Sequence, residues 1–119
     1  MENYIGEIRC FAFTYAPKGW TVCAGQLLQI HENQPLFSLI GTIYGGDGRD
    51  TFALPDLRGS SPVGMGHSWK SVEHKMGNKI FGDVDGDGTH QHQLGFLPML
   101  WCICVDGVFP EKGDQGWMG

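Results

Sequence analysis

The stretch Asn33-Gln34-Pro35-Leu36-Phe37-Ser38-Leu39-Ile40-Gly41-Thr42-Ile43-Tyr44-Gly45-Gly46-Asp47-Gly48 decides how the chain is read. Leu36, Phe37, Leu39, Ile40, Ile43 and Tyr44 recur at the i, i+3, i+4, i+7 spacing of a helix that buries one stripe. Asn33 is placed to cap it, and Pro35 falls in the first turn, where a missing N–H costs little. The glycines from Gly45 onward supply the left-handed backbone that ends a helix. One helix is therefore expected over about 34–44.

Outward from this helix the period changes to two. Residues 4–15, with Phe11, Phe13 and Tyr15 alternating with smaller side chains, read as a strand. Trp20 to Cys23 and Leu27 to Ile30 read as short extended pieces hinged at Gly25. Thr51 to Leu54 is a strand stopped by Pro55, and Asp56 to Gly66 is an extended path punctuated by proline and glycine. Residues 67–89 carry scattered charges and few apolar side chains. The most apolar run, Leu100-Trp101-Cys102-Ile103-Cys104-Val105, is expected to be a buried strand. Trp20 and Trp101 are expected in the core. The fold class is α+β, mostly short strands and irregular loops around one helix.

With 119 residues, 19 glycines, 6 prolines and a formal net charge of -5, the chain lies outside the compositions of collagen and of disorder. No apolar run is long enough to span a membrane. Eight basic residues with no basic stripe argue against nucleic acid as a partner. The N-terminus lacks the pattern of a signal peptide, so synthesis in a bacterial cytoplasm is expected. Cys10, Cys23, Cys102 and Cys104 form no CxxC pair and are expected to be free, small hydrophobes.

The runs Gly19-Trp20-Thr21-Val22-Cys23-Ala24-Gly25-Gln26, Leu36 to Thr42, Tyr44-Gly45-Gly46-Asp47-Gly48 and Thr51-Phe52-Ala53-Leu54-Pro55-Asp56-Leu57-Arg58-Gly59 resemble the phage tail collar domain family, which includes the microcystin-dependent proteins. The resemblance implies a collar-like domain over residues 1–66, a glycine- and charge-rich loop over 67–93, and a C-terminal strand and tail over 94–119 packing back on it. It implies an intertwined homotrimer with other tail fibre or baseplate proteins as partners. The function implied is a structural or attachment component of a phage virion tail, or of an extracellular contractile injection particle. The middle of the chain is much shorter than in full-length relatives, which shifts the expected role toward a structural cap or adaptor.

Several residues carry candidate chemistry. His90 and His92 would project to one side of a strand about 6.5–7 Å apart. One chain offers two imidazole ligands, and three chains about a threefold axis would offer six, enough for one divalent transition metal, zinc or iron. Asp83-Val84-Asp85-Gly86-Asp87-Gly88 matches the first half of a calcium loop. Leu94 stands where the bidentate glutamate is required, so Asp83, Asp85 and Asp87 read either as calcium ligands or as an acidic turn. Trp69 and Trp117 are candidates for stacking on cell-surface polysaccharide, the basis of an alternative reading as a carbohydrate-binding module. Asp56 and Arg58 are expected to share a face and to pair with a neighbouring segment or chain. Gly45 to Arg49 is not expected to cradle a nucleotide, because it follows a helix and Asp47 would repel phosphate. His31, His67 and His74 are assigned no role. No Ser/His/Asp or Cys/His set has an evident spacing, so no enzymatic activity is expected.

Overall fold

The computed structural model describes residues 2–67, 73–79 and 95–113. Among the described residues there are seven short strands and one α-helix: β1 (Ile8–Phe11), β2 (Trp20–Val22), β3 (Leu27–Gln29), α1 (Gln34–Ile40), β4 (Thr51–Ala53), β5 (Gly66–His67), β6 (Glu73–His74) and β7 (Leu100–Cys104). The architecture is α+β, with a 3-10 turn at Ile30–Glu32 leading into α1.

The apolar run at the C-terminal end becomes the centre of the main sheet. β7 lies between β1 and β2, antiparallel to both, in the order β1-β7-β2. Ile8 pairs with Ile103 and Phe11 with Leu100 on one side; Trp20 pairs with Cys104 and Val22 with Cys102 on the other. A strand flanked on both sides has its backbone groups satisfied, which suits Cys102, Ile103 and Cys104, all essentially inaccessible. The chain is fastened just beyond β7 as well. Val108 donates to the Asn3 carbonyl at 2.8 Å and accepts from the Ile5 amide at 2.9 Å.

Two ribbons complete the frame: β3 with β4, Leu28 opposite Phe52, and β5 with β6, His67 opposite Glu73. The core lies where α1, β4 and β7 meet and consists of Ile5, Cys23, Leu36, Phe52, Leu54 and Ile103. The Phe37 and Phe52 rings pack at 5.4 Å between centroids. Full burial of Phe52 alone contributes about 1.5–3 kcal/mol.

Four expectations change. α1 stops at Ile40, four residues before the sequence pattern does, because Gly41 turns to φ 52° and its N–H closes on the Phe37 carbonyl at 2.8 Å. Four-residue turns then carry the chain onward, with Ile43 donating to the Ile40 carbonyl and Gly45 to the Thr42 carbonyl. The Asn33 side chain does not cap; its amide donates back to the Gln29 carbonyl at 3.1 Å, while its own carbonyl accepts from Phe37. The expected strand over 4–15 is confined to Ile8–Phe11, since β7 begins at Leu100, opposite Phe11, and offers no partner further along. Trp20 and Trp101 are half-buried, not core.

Candidate functional site

The loop after α1 binds itself. One carboxylate oxygen of Asp47, Oδ1, accepts the backbone N–H groups of Arg49, Asp50 and Thr51, each at 2.9 Å. Successive N–H groups converging on one point form an anion-binding nest, and here the occupant is the loop's own side chain. These bonds favour the ionised form and hold the Asp47 carboxyl at about 2, below its ordinary 3.8. The glycine-rich loop is therefore closed to an external phosphate by occupancy as well as by charge.

Asp56 and Arg58 pair chiefly with each other, with Lys79 of a neighbouring segment adding a weaker electrostatic pull on the carboxylate. Arg58 Nε and Nη2 donate to the two carboxylate oxygens at 2.9 Å each, and the Arg58 amide donates to Oδ1 at 3.1 Å. The correction has a local cause: the chain turns after Leu57, so side chains two apart fold together. The guanidinium bonds push the Asp56 carboxyl far below the usual carboxylate range. The pair is exposed and acts as a turn clasp.

The cysteines separate into two kinds. Cys23, Cys102 and Cys104 are buried and free, while Cys10 is free and exposed. Burial pushes the Cys23 thiol up to about 12, with Cys102 beside it adding to the shift.

A row of rings lies on the outside of the domain. The Phe11 and Phe13 centroids are 5.2 Å apart, Phe13 and Tyr15 5.0 Å, and Phe11 meets Trp20 edge-on at 5.3 Å. The Arg9 guanidinium sits 5.9 Å from the Trp20 centroid and bonds Glu7 at 2.6 Å. Elsewhere the surface is more apolar still, with Phe96 83% exposed and Leu97 81%. Sequence reasoning placed Phe13 and Tyr15 in a strand and missed their stacking, which arises from the bend after Phe11.

His90, His92, Asp83, Asp85, Asp87, Trp69 and Trp117 lie outside the described residues. Among the described residues no group of three or more His, Cys, Asp or Glu side chains could hold a metal. No helix there is long and apolar enough to cross a membrane. His31 is exposed, as expected, with Glu32 3.9 Å away. His74, assigned nothing from sequence, lies half-buried on the wall of a cleft.

These features define a small, glycine-punctuated α+β domain, closed by its own C-terminal strand and carrying exposed apolar surface. Residues 6–62 match the family model of the phage tail collar domain. The matched segment contains α1, β1 to β4, the Asp47 loop and the Asp56–Arg58 clasp, and a collar domain indicates a structural component of a phage tail fibre. No curated protein and no solved structure matches the chain.

Proposed function

We propose that the protein is a structural component of a phage tail fibre or of a tail-derived contractile injection particle, assembled as a homotrimer and contributing to attachment at a cell surface. The collar match over 6–62 carries this reading. The exposed apolar side chains of Tyr4, Phe96, Leu97, Met99 and Phe109 support the oligomer, since a surface of this kind ordinarily marks a contact. In this reading the protein performs no catalytic step. Three copies would bring His90 and His92 together as six imidazoles for one zinc or iron. Immunogold labelling of purified particles tests the location: label at the tail supports the reading, and label absent from intact particles overturns it. Metal analysis of protein purified without chelator tests the ligand set, and protein free of stoichiometric zinc or iron removes it.

A second reading, a carbohydrate-binding module, draws on the exposed stacked rings of Phe13 and Tyr15, since aromatic faces stack on sugar rings. Glycan binding lost in Tyr15→Ala and Phe13→Ala favours it; an array with no bound glycan discards it.

A further inference from the structure

Residues 73–79 form a strap held at both ends. At one end β6 pairs with β5. At the other, Gly77 has φ 86° and lies so close to Ile43 that a Cβ there would meet Ile43 Cγ2 at 2.5 Å. Between these anchors the Tyr44 hydroxyl donates to Met76 Sδ at 3.5 Å. The path from Pro55 to Met65 runs opposite the strap, and the two enclose a cleft of about 700 Å³. That volume falls in the roughly 300–1,000 Å³ range of small-molecule sites.

The lining has two characters. Ile43, Val63, Met65 and Met76 give it an apolar body, and all four are substantially exposed. Methionines adapt their shape to an occupant. The charged lining groups are Lys75, Lys79 and Asp56. Asp56 is already bound through both oxygens by Arg58, and Lys79 contributes only the smallest electrostatic share to that carboxylate. The cleft is thus left with a positive rim over apolar walls, on a chain whose net charge is -5.

We propose that this cleft binds a small amphipathic anion, its aliphatic body against Ile43, Val63, Met65 and Met76 and its single acid group engaged by Lys75 and Lys79. A cation is repelled by the rim. A polyanion meets the net negative charge of the whole chain. A neutral alcohol of equal length gains the walls but forfeits the charge-assisted bonds. A carboxylate and a phosphate monoester share the required chemistry. The proposal stands independently of the tail reading.

Titration of the full-length protein with decanoate, decyl phosphate, decanol and decyltrimethylammonium, followed by amide chemical shifts, tests it. Both anions are expected to bind with shifts at Ile43, Tyr44, Met65 and residues 74–79, and the alcohol about tenfold more weakly. The stronger anion distinguishes a fatty acid from a lipid phosphate. Lys75→Gln with Lys79→Gln should weaken both anions about tenfold and leave the alcohol unchanged. Met65→Ser should weaken all the ligands that bind. An unchanged melting temperature shows that these exposed replacements leave the fold intact. Equal binding of alcohol and anions, insensitivity to the lysine replacements, no binding, or shifts confined to Phe96–Met99 overturns the proposal.

Discussion

Asp47 and Thr51 hold each other twice: the Thr51 amide donates to the Asp47 carboxylate at 2.9 Å, and the Asp47 amide donates to the Thr51 hydroxyl at 3.3 Å. This exchange fixes the turn that delivers Phe52, fully buried, to the core. Asp47→Ala removes the acceptor of three N–H groups and should lower the melting temperature more than Asp47→Asn, which keeps an oxygen there. The pH dependence follows from the depressed carboxyl, held at about 2 instead of 3.8. Its stabilising contribution is complete above the ordinary value and disappears as pH falls through the folded one. The melting-temperature gap between the natural protein and Asp47→Asn should therefore narrow as pH drops from about 4 to about 2. A gap constant over that window contradicts the nest.

Gly46 is the tightest point of the same loop. It has φ 95°, and a Cβ there would collide with Phe52 Cα and stand 2.7 Å from the Thr51 carbonyl oxygen. Both neighbours are backbone, and Phe52 is anchored in the core, so neither can yield cheaply. Gly46→Ala should cost about 2–4 kcal/mol by urea unfolding, from strain together with overpacking. Gly41→Ala is the steric control: nothing lies within 4 Å, so only backbone strain at φ 52°, ψ -137°, about 1–3 kcal/mol, applies. Equal losses at the two positions refute the steric account.

The thiols should react in two phases. With a thiol reagent at pH 8, Cys10 is expected to react at once, because it is exposed on β1. Cys23, Cys102 and Cys104 should react only as the domain opens, since burial keeps them protonated and shields them. Cys10→Ser should abolish the fast phase alone. More than one fast thiol per chain argues that the β1-β7-β2 sheet opens readily.

Local signals carried much of this fold. The stripe of Leu36, Phe37 and Ile40 announced α1, and the run from Leu100 announced β7. What local pattern could not supply was partnership. Whether Phe13 and Tyr15 continue a strand depends on where β7 begins, some ninety residues away in sequence. Periodicity likewise carried the helix past Ile40, because Ile43 and Tyr44 remain apolar for another reason: they contact the strap at Gly77 and Met76. The charge pattern at Asp56 and Arg58 showed an ion pair but not its partner, since that depends on the turn after Leu57. The cleft was invisible because its walls, 43–44, 55–65 and 74–79, are separate in sequence and each is unremarkable alone.

The oligomer gives the sharpest remaining test. Phe96 and Leu97 are each more than four-fifths exposed, just before a strand whose last three residues, Cys102 to Cys104, are buried. Covering two such side chains contributes about 1.5–3 kcal/mol apiece, so in a trimer they would stabilise the assembly without being needed by the fold of one chain. Light scattering of the natural protein should give three times the chain mass of 13.1 kDa. Phe96→Ser with Leu97→Ser should shift that mass toward the single chain while circular dichroism and the fast Cys10 reaction stay unchanged. Loss of the folded spectrum together with the mass would instead place these residues in the fold of the chain itself. A natural protein that runs as a monomer at every concentration refutes the trimer, and leaves the collar match at residues 6–62 to be explained by a partner other than a second copy.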